Sequence, residues 1–399
     1  MELHYERAKN KQKNRSIVKQ IMDKVLENRL VILIGMEHYT PLGVIRCLGE
    51  NGINPVFIGV KYKACVASSS RYVKKSYLVN DDQEAFDLLL KEYGDVSEKT
   101  GLKPIVQFTD DSTVELFENH HDELKDKFIF FNAGGNHRIA KFLDKFEILQ
   151  CAERHGVQIL PTEVVKCGEL PKHAEYPVIT KAISPNAGAW KGDVNICYSE
   201  EELKAAFNRI KSPLVLIQKF VEKKTEMTIE GYAVNKGKDM FAAIQCSYLY
   251  NIKGYYSPYH IDKPIQNQDL KEKLAAMIEE IGFEGVFDAE FLVAPDDQLY
   301  FLEINFRNTT WSYSSAVAGY PLAYLWCVSM LTGEIPEPKD FEPFTSMVEP
   351  IDYSKRVEEG RCSLSEWLKD FKEAKCTYYY DPVDLKPWQV LTDNWDKLK

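Results

Sequence analysis

No CxxC pair occurs among the nine cysteines of the 399-residue chain. Cys47, Cys65, Cys151, Cys167, Cys197, Cys246, Cys327, Cys362 and Cys376 are scattered and odd in number. A disulfide framework and a zinc ribbon therefore have no basis, and reduced thiols in a cytoplasmic protein are the expectation. The eight histidines form no HExxH, the commonest helical zinc-protease pattern. GxSxG is missing, and with it the nucleophile elbow of a serine hydrolase. Neither GxxxxGK[ST] nor GxGxxG is present, which leaves a P-loop and a dinucleotide fingerprint without support. No apolar run approaches the ~18 residues of a membrane span. Positive charge is in deficit as well: 50 basic against 60 acidic residues leave −10. That balance argues against nucleic acid and anionic membrane surfaces as partners.

What is present suffices for a folded chain of about two or three domains, since hydrophobic residues make up 45% of it. Residues 1–29 are basic but lack an apolar signal core. An amphipathic helix covering the next domain is expected there, with a transit peptide the weaker reading. "VILIG" (31–35), "PVFIGV" (55–60), "KPIVQFTD" (103–110) and "KFIFFN" (127–132) read as strands. "PLGVIRCLGENG" (41–52) and "DDQEAFDLLLKEYG" (81–94) read as helices between them, the second with Asp81 near its N-cap. This alternation implies a parallel α/β domain over 30–135.

From 138 the pattern changes. "RIAKFLDKFEILQCAERHG" reads as one helix ending at Gly156. "YPVITKAI" (176–183) is a strand, "SPNAGAWKGD" (184–193) a small-residue loop, and "SEEELKAAFNRI" (199–210) a capped helix. "PLVLIQKFV" (213–221), "EMTIEGYAVN" (226–235) and "MFAAIQCSYLYN" (240–251) look like an antiparallel meander, followed by a helix over 268–282.

The most informative stretch is "GVFDAEFLV" (285–293), the turn "APDDQ" and "FLEINFRN" (301–308). Strand alternation puts Leu302, Ile304 and Phe306 on one face of the last run, and Glu303, Asn305 and Arg307 on the other. A hairpin turning at Asp296 and Asp297 sets Glu290 opposite Glu303 and Asp288 opposite Asn305. Like charges in direct opposition destabilise a sheet. Facing carboxylates beside an amide oxygen make sense around a hard divalent cation such as Mg²⁺, which takes oxygen ligands and leaves room for phosphate. A solvated polar face is the plainer alternative. Lys181, before the small-residue loop, suits phosphate, because backbone N–H groups approach closely where side chains are small. An ordinary hairpin loop fits that stretch equally.

The order of these parts resembles the ATP-grasp superfamily, and within it the carboxylate–amine ligases, over about residues 30–335. "EINFR" paired with "FDAEF" is the most specific element. "NFRN" and the tail "YYYDPVDLKPW" are most similar to D-aspartate ligase-like enzymes, a looser likeness. The resemblance implies an α/β and α+β chain with an ATP-grasp fold: a Rossmann-like preATP domain at 30–135, an ATP-grasp domain at 136–335 with a small lid lobe at about 160–222, and an aromatic-rich extension at 336–399. Aromatic packing on the core is the favoured reading of that extension, and capping of an acceptor pocket the lesser one.

Carried over residue by residue, the resemblance implies that Lys145 and Lys181 contact the α- and β-phosphates of ATP and that the 184–193 loop, with Ser184 and Gly188, closes over them. Gln218 and the backbone from Lys219 to Val221 would meet adenine, Glu226 the ribose, and Leu302 the underside of the ring. Glu290, Glu303 and Asn305 would ligate Mg²⁺, with Mn²⁺ a further option, and Arg307 would face the transferred phosphoryl group. Arg307 and Lys181 are the expected catalytic residues. The implied activity joins the carboxylate of an amino acid or small peptide to an amine through an acyl phosphate, with ADP and phosphate released. Small-molecule substrates are the expected partners, with a homodimer left open. No residue in these motifs is a general base for the amine. Two other readings stand beside this one: an ATP-binding regulatory or scaffold protein without turnover, and a bicarbonate-activating carboxylase or carbamoyl-phosphate-type enzyme. The second is weakened by the lack of a biotinyl "MKM" segment or an amidotransferase domain.

Overall fold

The computed structural model describes residues 25–183, 190–252 and 256–395. Residues 1–24 of the expected N-terminal helix, together with Ser184 and Gly188 of the small-residue loop, lie outside the described residues.

Three sheets organise the chain. The first has five parallel strands in the order β3-β2-β1-β4-β5. They are β1 Val31–Met36, β2 Val56–Val60, β3 Lys75–Val79, β4 Ile105–Phe108 and β5 Ile129–Phe130. β1, β2 and β4 are buried along almost their whole length, as central strands of a parallel sheet covered on both faces must be. The edge strand β3 is largely exposed and begins with a lysine. Its weak pattern hid it in the sequence. "KFIFFN" forms only the two-residue β5. Helices Tyr39–Gly49 and Asp82–Tyr93 follow β1 and β3, and Asp81 caps the latter by accepting from Glu84 N.

The expected long helix at 138–156 is two helices, Arg138–Leu143 and Lys145–Arg154. Asp144 leaves the helical backbone region and accepts from the N–H groups of Phe146 and Glu147 at 2.8 and 3.1 Å. An aspartate competes for backbone donors in this way. The break starts a new helix at Lys145.

A second, four-stranded antiparallel sheet runs β6-β9-β7-β8, from β6 Thr162–Lys166, β7 Val178–Ala182, β8 Asn195–Cys197 and β9 Leu214–Lys219. The helix Glu200–Phe207, capped by Ser199, packs on it. Their shared core of Val178, Leu203, Phe207, Val215 and Ile217 is a separate apolar cluster from that of the rest of the chain.

The third sheet has seven strands in the order β14-β13-β10-β11-β12-β15-β16. These are β10 Thr225–Val234, β11 Asp239–Tyr248, β12 Tyr259–Pro264, β13 Gly285–Val293, β14 Leu299–Asn305, β15 Phe344–Met347 and β16 Cys376–Thr377. The expected three-strand meander is therefore two strands: β10 and β11 pair, but β9 belongs to the four-stranded sheet. The short connection after Lys219 reads like a hairpin loop in the sequence and instead crosses between sheets.

The C-terminal aromatics pack inward. Tyr378 and Tyr379 are buried, and both meet the ring of Tyr39 edge-on. Arg46, fully buried, pairs with Asp384 at 3.0 Å and donates to the carbonyls of Tyr378 and Tyr379 at 2.9 Å each. Among the described residues no single helix is long and apolar enough to cross a membrane.

Candidate active site

The β13–β14 hairpin has the register expected from its turn: Glu290 faces Glu303 and Asp288 faces Asn305. A bulge follows, because Phe291 pairs with Phe301 and leaves Leu302 without a partner. Strict alternation would have buried Leu302 with Ile304 and Phe306. The extra residue breaks that alternation, so that Phe301 is buried and Leu302 half-exposed.

Asn305 ties the carboxylates together. Its Nδ2 donates to Glu290 Oε1 at 2.8 Å and Asp288 Oδ2 at 3.3 Å. Lys145, first residue of its helix, reaches Glu303. The two facing glutamates consequently differ. The Lys145 ammonium, ahead of opposing burial, holds the Glu303 carboxyl below the usual range. Burial and then the Glu303 charge push Glu290 well up. Asp288 is buried, and its Oδ1 has no hydrogen-bond partner. Two opposed carboxylates and an orphaned carboxylate oxygen fit a hard divalent cation. Asn305 presents its nitrogen to the carboxylates and its oxygen to Arg307 Nη2, at 3.1 Å. Ligation through that oxygen requires the amide to turn over.

Arg307 lies just past the end of β14. Its Nε and Nη2 donate to the two oxygens of Asp111 at 2.7 and 3.0 Å, a bidentate pair. Burial opposes its charge, but Asp111 and Asp110 more than compensate and keep it protonated. Nearby His38 is pushed down to about 4 by burial and then by the Arg307 charge, so it is neutral. The chain beyond Arg307 is fastened by Glu230, fully buried opposite Asp288. The hydroxyls of Thr309, Ser312 and Ser315 donate to its carboxylate.

The four-stranded sheet supplies a different kind of contact. Lys181 Nζ, on β7, donates to Gln218 Oε1 on β9 at 3.0 Å, and Gln218 Nε2 donates to Thr162 Oγ1 at 3.0 Å. The Lys181 ammonium is pushed down to about 8 by burial and then by the Lys145 charge. Gln218, expected against adenine, has its side chain buried and engaged with Lys181 and Thr162. The backbone N–H groups of Lys219 and Phe220 are engaged too, donating to the carbonyls of Pro161 and Pro177 at 2.9 Å each. Glu226, on β10, pairs with Lys223 at 2.6 Å, and Lys219 lies 3.6 Å from Glu175. Lys145, Lys181, Glu290, Glu303 and Arg307 thus form one electrostatic cluster, and Asn305 joins it through hydrogen bonds to Glu290 and Arg307.

Sequence reasoning missed Asp110, Asp111 and Glu230. The first two stand at the carboxyl end of β4, beside β1, where the strand order of the sheet reverses. Ligands of open α/β sheets bind at such a point, and "FTDD" was the available signal. For Glu230, in the middle of a strand, the sequence held none.

Residues 144–330 match the family model described as "Carbamoyl-phosphate synthase L chain, ATP binding domain". Among solved structures, N5-carboxyaminoimidazole synthetase from Staphylococcus aureus aligns at 17% identity and a TM-score of 0.62, over 83% of this chain and 86% of that one. The L-amino acid ligase from Bacillus licheniformis aligns at 12% identity and 0.60, over 81% and 80%. The biotin carboxylase domain of Hydrogenobacter thermophilus 2-oxoglutarate carboxylase, solved with MgADP, ADP and bicarbonate, aligns at 18% and 0.60, over 79% and 74%. The likeness shows an ATP-grasp fold, with residues 144–330 similar to that ATP-binding domain.

Proposed function

We propose that the protein is an ATP-dependent ligase that joins a carboxylate to an amine through an acyl phosphate. The observation that carries this reading is the row Glu303, Asn305, Arg307 facing Glu290 and Asp288, with Lys145 and Lys181 at the same place. A scaffold that only holds nucleotide has no need of an arginine kept charged beside a cation site.

The chemistry has to bring a carboxylate to the γ-phosphate of ATP, two anions that repel each other. Mg²⁺ bound by Glu290, Glu303 and Asn305 would neutralise phosphate charge and orient it. Lys145 and Lys181 hold the phosphates from the two sides of the cleft. Arg307, aimed by Asp111, keeps its Nη1 for the oxygens that gain charge during transfer. A planar fork suits those oxygens better than a point charge. Water must be kept from the acyl phosphate, a role for the separately cored small lobe that carries Lys181. Amine attack then releases phosphate.

The test is phosphate release from Mg-ATP across pairs of amino acids, with products read by mass spectrometry. A new amide that appears only with both partners and ATP is expected. Turnover that requires bicarbonate and yields no amide would move the protein to the carboxylases, and no turnover with any pair would leave a nucleotide-binding protein.

A further inference from the structure

An amine reaches the site as an ammonium ion, and it cannot attack until it loses a proton. The free Oδ1 of Asp288 belongs to the cation set of the hairpin, and the other obvious acceptors at the site are occupied. Asp111 has both carboxylate oxygens on Arg307. Glu303 is engaged by Lys145, and Glu290 accepts from Asn305 and faces Glu303. His38 accepts from Thr40 N through Nδ1 at 3.1 Å, so its ring proton sits on Nε2 and that nitrogen can only donate.

Asp110 is different. Its Oδ2 is held by Met36 N at 2.9 Å and Thr109 Oγ1 at 3.1 Å. Its Oδ1 has no hydrogen-bond partner among the described residues. It heads the helix Asp111–Asn119 without using its side chain as a cap. The close approach of β1 and β4 that fixes it depends on Gly35: a Cβ there would lie 1.8 Å from Thr109 Oγ1 and 3.1 Å from Asp110 Oδ2. The carboxylate therefore stands at the carboxyl edge of β1 and β4, at the reversal of strand order, within the field of Arg307.

Resting on the ligase reading, we propose that Asp110 is the general base for the attacking amine. Asp110 Oδ1 takes one N–H proton from the ammonium group. The freed lone pair forms the C–N bond to the acyl carbon. The bond from that carbon to the phosphate oxygen breaks, and phosphate leaves with the electron pair. The nitrogen loses its second surplus proton to the departing phosphate, and Asp110 returns its own to solvent. Burial raises the Asp110 carboxyl while Arg307 opposes the rise and Asp111 adds to it. A carboxylate more basic than usual is suited to this transfer.

The assay compares two nucleophiles. Hydroxylamine is uncharged at neutral pH and traps an acyl phosphate as the hydroxamate without needing a base. In Asp110→Asn, amide formation with the amine substrate should fall on the order of 10²-fold or more beyond any change in ATP- and carboxylate-dependent hydroxamate formation. The residual amide rate should rise with pH in proportion to the free amine. Should the asparagine variant not fold, Asp110→Glu keeps the charge but moves the base, and amide formation should again fall more than hydroxamate formation. Equal loss of both products would overturn the proposal, because Asp110 would then act before the amine arrives. Undiminished amide formation would overturn it too. A wild type that gives neither product with any carboxylate would remove the ligase reading itself, and this assignment with it.

Discussion

The two sheets that bring charges to the site hold them in opposite ways. On the seven-stranded sheet the charges brace one another, Glu303 with Lys145, Glu290 with Asn305 and Arg307 with Asp111, and one oxygen of Asp288 is left over. On the four-stranded sheet, Lys181 has a neutral partner, the Gln218 amide. One side is a fixed template whose side chains brace one another. The other carries one half-buried ammonium, that of Lys181, on a lobe with its own apolar core. A phosphate would add a new counter-charge for Lys181 but would have to share Lys145 with a carboxylate. The template side should therefore set the rate of chemistry. The lobe side should set affinity and its dependence on pH.

The largest effect should come from breaking the template at its centre. Glu303→Gln removes one of two opposed carboxylates and leaves Lys145 without its anion. Turnover should fall on the order of 10³-fold, with an unchanged far-ultraviolet circular dichroism spectrum. Wild-type turnover with the same Mg²⁺ requirement would show that the hairpin is not a cation site. Arg307→Ala comes next. In the proposed role at the transferred phosphoryl group its contacts would belong mainly to the transition state, so Mg-ATP affinity by calorimetry should stay near normal while kcat drops on the order of 10²-fold or more. Arg307→Lys should recover only part, since a point charge cannot keep the bidentate bond to Asp111. Normal turnover in Arg307→Ala would reduce the residue to a partner of Asp111 and nothing more.

The two sides were also unequally legible in the sequence. The hairpin could be read because a turn between two alternating strands fixes its own register, and the facing pairs Glu290/Glu303 and Asp288/Asn305 followed. The bulge at Leu302 was not readable: nothing local marks an unpaired leucine. Pairings between distant segments were hidden for a similar reason. That β9 turns away from β10 to join β6 and β7 depends on which sheet buries it, and its residues are apolar enough for either. The bond from Arg307 to Asp111 spans two sheets, and only the fold brings them together. The helix break at Asp144 was legible in principle as a capping residue. It was masked by the helical periodicity on both sides.

The smallest effect tests the lobe, and its sign is set by titration. Burial and the Lys145 charge lower the Lys181 ammonium from 10.5 to about 8. A lowered lysine costs stability in its charged form. Between about pH 8 and 10.5 the unfolded chain still holds the proton that the folded one has released. Stability therefore rises with pH across that window, and below it the cost is present in full. Lys181→Met keeps the apolar stem and removes the charge. Without nucleotide, that variant should be more stable than the wild type below pH 8 by on the order of 1 kcal/mol, with the advantage shrinking towards pH 10.5. With ATP the order reverses. The variant should show a raised KM for ATP and a lowered kcat, because a phosphate contact is present in both ground and transition states. The wild-type KM should itself climb above about pH 8, as the ammonium is lost, while the KM of the methionine variant, which has no proton to lose there, stays flat. Thermal melts of the two proteins from pH 7 to 10, and KM for ATP over the same range, check both halves. Parallel KM profiles would mean that Lys181 does not touch phosphate, and the lobe would then differ from the template only in its packing.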